Sequence, residues 1–171
     1  MSRPQLEDAF GHHVWATLRL IDTCLALTPE QLEADAPGTY GSILKTMRHL
    51  VGGDSWYLLC ITDDRNFDID EAEMGLAELR AVMETDGAAW SALLAGDPDP
   101  ETVVSNVDED EGIEQQAPLG IRLAQAVHHG TDHRSQICTA LTSLGVEPPA
   151  IDLWDFGVQD GRVVEGPLST A

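Results

Sequence analysis

The segment His129-Gly-Thr-Asp-His133-Arg-Ser-Gln136 sets two histidines four positions apart in a stretch with helical periodicity. An α-helix advances 3.6 residues per turn, so positions i and i+4 share a face and two imidazoles can converge on one ion. A third histidine must come from elsewhere, and His49 is the best candidate. Structural zinc sites are normally closed by four protein ligands, whereas three neutral imidazoles leave a position open for water or substrate. An ion held there can lower the pKa of water toward ~7 or take a substrate thiol as thiolate. Zn, Ni, Fe and Mn all suit such a donor set, one divalent ion per chain.

Four helical stretches are predicted to position these residues. The first runs from about Gln5 to Leu27, with Leu6, Phe10, Val14, Thr17, Ile21, Cys24 and Leu25 at helical spacing, until Thr28-Pro29-Glu30 breaks the pattern. His13 lies near that apolar stripe, where a structural part is expected of it rather than that of a fourth ligand; with Gln136, Gly52, Gly53 and Trp56 it is counted among the residues that could support the site or line its pocket. His12 is turned about 100° away and is expected in solvent. The second helix begins after Tyr40-Gly41 with Ser42 as N-cap and ends at Asp63-Asp64. His49 lies off its apolar stripe, on a face shared with Thr46, Gly52, Gly53 and Trp56. Two glycines within a helix cost roughly 1 kcal/mol each relative to alanine, so they ask for a reason such as close approach of a backbone or ligand.

The third helix is expected from about Glu71 to Ala95, stopped by Gly96-Asp97-Pro98. Residues 102–107 have strand character and precede the acidic run Asp108-Glu109-Asp110-Glu111-Gly112, which suggests a short hairpin with a solvated turn. That run lacks the alternating oxygen ligands of a calcium loop. The fourth helix starts near Pro118 and continues to Leu144-Gly145, with His129 and His133 on a sector shared with Ala126, Gln136 and Ala140. The aromatic tail from Ile151 is expected to pack back on the bundle, with Asp160-Gly161 making a hairpin turn.

The 171 residues are enough for one domain with a real core, taken as 1–171. No apolar run approaches the ~20 residues that cross a bilayer, and a cytoplasmic, membrane-free protein is expected. Cys24, Cys60 and Cys138 fall among apolar helical residues and read as reduced core thiols. A formal net charge of −21, with only nine Lys and Arg spread along the chain, repels phosphate backbones and argues against nucleic acid as a partner. Four antiparallel helices with a longer connection between the third and fourth make an all-α four-helix bundle, in which the second and fourth helices can be neighbours and His49 can meet His129 and His133.

Gly41-Ser42-Ile43 before a helix bearing His49-Leu50, then His129-x-x-x-His133-Arg134-x-Gln136, Gly145 and Pro148-Pro149-Ile151-Asp152, resemble the DinB family within the DinB/YfiT-like superfamily of metalloenzymes. The resemblance implies a four-helix bundle of up-down-down-up topology, dimerisation, and a divalent ion held by one histidine of the second helix and two of the fourth: here His49, His129 and His133. Many relatives have His-Arg-Gly-Gln where this chain has His133-Arg134-Ser135-Gln136. The superfamily includes metal-dependent hydrolases and thiol S-transferases or isomerases that use mycothiol, bacillithiol or glutathione, so a low-molecular-weight thiol is a possible cosubstrate. The family name refers to a damage-inducible gene and does not imply DNA binding.

Ligand histidines usually donate their second N–H to a carboxylate or carbonyl. Asp54, Asp132, Gln136 and Asp152 are near enough in sequence to serve, and Gln136 is preferred because it shares the face of His129 and His133; Asp132 is turned ~100° away from His133. Arg134 is expected to cap an acidic partner within the bundle. Trp56 is placed to border the cleft, with Trp15 and Trp90 as core or dimer-interface aromatics. No catalytic residue is named by the sequence. Two function classes follow: a metal-dependent thiol S-transferase or hydrolase acting on a small molecule, or a non-catalytic dimeric stress-response protein that binds a metal or small ligand.

Overall fold

A computed structural model describes residues 5–108, 112–164 and 166. In chain order they form α1 (Gln5–Cys24), a short α2 (Pro29–Leu32), α3 (Ile43–Thr62), α4 (Leu76–Ala95), β1 (Val103–Asp108), β2 (Ile113–Pro118), α5 (Leu119–Ser143) and α6 (Leu153–Gln159). The expected helices are present, with different ends where local capping overrides periodicity. Thr28 does more than break α1: its hydroxyl accepts from Gln31 N, and Gln31 Oε1 accepts from Thr28 N at 2.9 Å, a capping box that starts α2. The third long helix begins at Leu76 rather than Glu71. Asp70 caps a separate 3₁₀ turn, Glu71–Glu73, and the Gly75 amide donates to the Glu78 carboxylate at 2.8 Å, which restarts the chain as α4. Ser42 caps α3 as expected, accepting from Lys45 N, and Asp63 ends it in the left-handed region at φ 55°.

The four long helices form a bundle in which α1 and α3 each lie against both α4 and α5. At one end the core is Leu20, Ile21 and Cys24 of α1 with Met47, Leu50, Leu79, Met83, Ile137 and Leu141. At the other it is Phe10, Leu58, Trp90, Leu123 and Ala126. The start of α1 meets the end of α4, where Phe10 and Trp90 rings lie 4.7 Å apart, and the opposite ends are joined by Arg80 Nε donating to Asp22 at 2.7 Å. Buried polar groups occupy the middle: His13, Thr17, Asp54, Ser55, Asp86 and Arg134. Such groups are tolerated in a core only when paired.

Strands β1 and β2 make the expected hairpin, antiparallel from Val103↔Pro118 to Asp108↔Ile113. Residues 109–111 of its acidic turn lie outside the described residues. The tail packs back as expected but is helical: Asp152 caps α6 by accepting from Asp155 N at 2.8 Å, and Phe156 is buried against Trp15 and His12 of α1. Asp160-Gly161 therefore ends a helix, with Asp160 N donating to Phe156 O, and does not turn a hairpin. This docking also leaves His12 half-buried, with its Nε2 donating to Ile151 O at 2.8 Å, rather than fully in solvent. Trp15 is half-buried and donates to Gln159 of α6, while Trp90 is fully buried. The three cysteines are free thiols, and burial pushes Cys24 up to about 12. Among the described residues no helix is long and apolar enough to cross a membrane.

Candidate metal centre

The cap at Ser42 starts α3 so that His49 falls in its second turn, facing the middle of α5 where His129 and His133 stack one turn apart. Ring centroids are 4.9 Å apart for His49 and His129, 4.7 Å for His49 and His133, and 4.5 Å for His129 and His133. One nitrogen from each lies within 4.8 Å of the others, and the Nε2 atoms of His49 and His129 are 3.2 Å apart. All three favour the neutral form. Burial first, then the neighbouring imidazoles of His133 and His49, lowers His129 to about 4. His49 is lowered by burial and by His133, with the Glu71 carboxylate opposing; His133 is lowered by burial, with Gln136 and Asp132 opposing. Crowded neutral imidazoles with free lone pairs are the form a divalent ion binds. His133 is buried, and its Nδ1 has no hydrogen-bond partner among the described residues. The donor set and this orphaned nitrogen fit a metal, and the three imidazoles supply no fourth protein ligand.

The two glycines of α3 have distinct reasons. A Cβ at Gly53 would stand 2.5 Å from His129 Cε1, and one at Gly52 would stand 2.6 Å from the carboxyl carbon of Glu71. Both side chains occupy space that only glycine leaves. Gly130, within the His129–His133 motif, does the same for a deeper layer: its Cβ would fall 2.2 Å from His13 Cε1 and 2.8 Å from Arg134 Nη1.

That deeper layer ties three helices together. Asp54 Oδ1 and Oδ2 each lie 2.9 Å from His13 Nε2, and Arg134 Nη1 lies 3.0 Å from His13 Nδ1 and 3.1 Å from Thr17 Oγ1. Arginine only donates, so His13 Nδ1 accepts and the proton sits on Nε2, facing Asp54. Arg134 thus reaches its acidic partner through an imidazole rather than capping it directly. Burial lowers Arg134 to about 10, with Asp54 opposing. His13 belongs to this strut, between Asp54 and Arg134, and is not among the residues that wall the cavity beside the three histidines. Beside it Ser55 Oγ donates to Asp86 Oδ2 at 2.7 Å, and burial raises Asp86 to about 7.

Tyr40, which the sequence did not single out, covers the centre. Its ring stacks on His49 at 4.2 Å and 9° and meets His133 edge-on at 5.4 Å. Its backbone N–H donates to Gln136 Oε1 at 2.8 Å, so Gln136 anchors this aromatic cover as well as neighbouring His133. Asp152, capping α6, has no part in the cluster, and Asp132 is exposed. On the other side lies a cavity of about 390 Å³ walled by His49, His129, Gly52, Gly53, Trp56, Tyr57, Phe67, Ile69 and Glu71. Trp56 borders it as expected; Glu71 was hidden from the sequence because it read as the first residue of a helix.

The DinB family profile matches residues 1–161. No curated protein sequence matches the chain. Among solved structures the chain is similar to YfiT from Bacillus subtilis, described as "a probable metal-dependent hydrolase with an unusual four-helix bundle topology". The TM-score is 0.62 at 16% identity, over 86% of this chain and 91% of YfiT, a likeness of fold.

Proposed function

The chain belongs to the DinB family, and on that premise we propose that it is a metal-dependent enzyme in which His49, His129 and His133 hold one divalent ion, Zn, Ni, Fe or Mn. One observation carries the reading: three imidazoles held neutral converge on one point, without a fourth protein ligand in the group, beside a cavity of small-molecule size. When bound, such an ion supplies Lewis acidity that brings a nucleophile toward ionisation near pH ~7. The nucleophile is water, in a hydrolase like the one YfiT is described to be, or a low-molecular-weight thiol of the mycothiol type, in an S-transferase. This chain's own part is positional. Gly53 lets His129 approach α3, Tyr40 and Gln136 hold His49 and His133, and the His13–Asp54–Arg134 strut sets α5 against α1 and α3. Trp56, Phe67 and Ile69 give the substrate an apolar wall that thins out water.

The same reading takes residues 1–171 as one DinB-like domain of up-down-down-up topology, a cytoplasmic homodimer acting on a small molecule. The topology is supported by the contacts of α1 with the opposite ends of α4, and by Tyr57 and Gln125, which pair the later part of α3 with the earlier part of α5 at 3.3 Å. Metal analysis of protein prepared without an affinity tag tests the centre. About one divalent ion per chain is expected, lost in His49→Ala, His129→Ala and His133→Ala; absence of a tightly bound ion overturns the reading. Ester hydrolysis and thiol-conjugation assays then separate the two chemistries. A loaded protein inactive in both supports the alternative, a non-catalytic dimeric metal- or ligand-binding protein.

A further inference from the structure

We infer that Glu71 is the proton-transfer residue of this site, the group that takes the proton from a nucleophile in the cavity and returns it to the leaving group. The inference rests on the proposed metal-dependent activity and adds a residue to it. Gly52 and Gly53 are adjacent, and each leaves out a side chain for one neighbour: Gly53 for the His129 ring, Gly52 for the Glu71 carboxylate, whose Oε1 would stand 2.9 Å from an added Cβ. The helix thus gives up side-chain packing twice, once for a ligand imidazole and once for this carboxylate.

Glu71 is held there by the chain around it. Arg48, next to His49, donates from Nε to Met74 O at 2.8 Å, and Met74 N closes the 3₁₀ turn on Glu71 O. The turn is therefore pinned to the helix that carries His49. The carboxylate shares the cavity wall with His49 and His129, is close enough for its charge to act on His49, and makes no hydrogen bond among the described residues. It lies outside the group of three nitrogens that could share an ion. A half-buried carboxylate with free lone pairs, beside the centre but not in it, has the placement of a general base.

In the step assigned to it, the nucleophile's O–H or S–H bond breaks and the proton passes to a Glu71 Oε. The freed electron pair forms the new bond to the substrate's electrophilic carbon. As the bond from that carbon to the leaving atom breaks, Glu71 returns the proton to the departing atom and is restored.

Acetohydroxamic acid reads this transfer without turnover, because it is neutral near pH 7 and must give up one proton to bind a metal as its anion. Calorimetric titration of the Zn²⁺-loaded protein in two buffers of different ionisation enthalpy counts the protons released to solvent. At about pH 6, below the ~7 at which a metal-bound water ionises, water rather than hydroxide leaves the ion; there the wild type is expected to release close to none, because Glu71 keeps the proton, and Glu71→Gln about one, with the ion retained in both. Gly52→Ala, which displaces the carboxylate without removing it, is expected to release protons as Glu71→Gln does. Equal counts in wild type and Glu71→Gln overturn the inference and leave the proposed function standing. Loss of the ion from Glu71→Gln makes Glu71 a ligand and overturns it too. A loaded wild type that does not bind the hydroxamate has no open position, which removes the proposed function and the inference together.

Discussion

Gly53→Ala should separate the metal centre from the fold. An added Cβ would meet His129 Cε1 at 2.5 Å, Nδ1 at 3.1 Å and Nε2 at 3.2 Å. To restore ordinary van der Waals contact the ring, or α5 with it, must withdraw by roughly 1 Å. Metal–ligand distances tolerate only about 0.2 Å, so His129 is taken out of register with His49 and His133. Losing a group that merely orients a ligand costs roughly 10–100-fold in metal affinity, and displacement of the ligand itself should cost at least as much. Stability should respond differently. Alanine gains about 1 kcal/mol of helix propensity, set against about 1–3 kcal/mol of overpacking. The metal-free variant should therefore range from unchanged to about 2 kcal/mol less stable, and still fold. Competition for Zn²⁺ against a chromophoric chelator measures the first effect, and urea unfolding of the metal-free protein followed by circular dichroism the second. A variant that binds Zn²⁺ as tightly as the wild type would refute the claim that close approach at Gly53 positions the centre.

Two further outcomes concern acid–base behaviour. His129 is lowered to about 4, and His49, His133 and His12 are lowered as well, so between their unfolded pKa near 6.5 and their folded values the unfolded chain binds more protons. Their stabilising contribution is whole above about pH 6.5 and is lost as pH falls toward 4; urea midpoints of the metal-free protein that rise on acidification through this window would contradict it. Asp86 runs the other way: its folded pKa, about 7 against 3.8, means that its burial costs stability as pH rises through that window. Asp86→Asn can still accept from Ser55 and should be more stable than wild type by ~1 kcal/mol or more at pH 8, with the gain vanishing near pH 4. A melting temperature at pH 8 no higher than that of the wild type counts against it.

Much of the centre was legible from spacing because an i, i+4 pair lies on one helical face wherever that helix packs. His49 was legible for a related reason, since it shares a helix face with two glycines that have no purpose in isolation. Sequence gave the question those glycines pose, and only packing answered it: Gly53 yields to His129 across the α3–α5 interface, Gly52 to Glu71 from a connecting turn. Tyr40 and Glu71 escaped notice because neither has a periodic signature; both sit in connections, 9 residues before His49 and 22 after it in the chain. Helix α4 starts later than Glu71 because, although Glu71 to Met74 are all helix-favouring residues, the caps at Asp70 and Gly75 cut them off as a separate turn.

What the sequence determined by itself was the set of local preferences: four long apolar periodicities, the caps and stops around them, an acidic chain, and the His129–His133 pair. These depend on residues a turn or two apart, and so can be read from neighbours. The tertiary structure decided which faces meet. It placed His49 against the pair and His13 between Asp54 and Arg134, and stacked Tyr40 on the centre, with Glu71 over Gly52. Those contacts join residues tens of positions apart, and they form only when burying the helices' apolar faces brings the polar ones together.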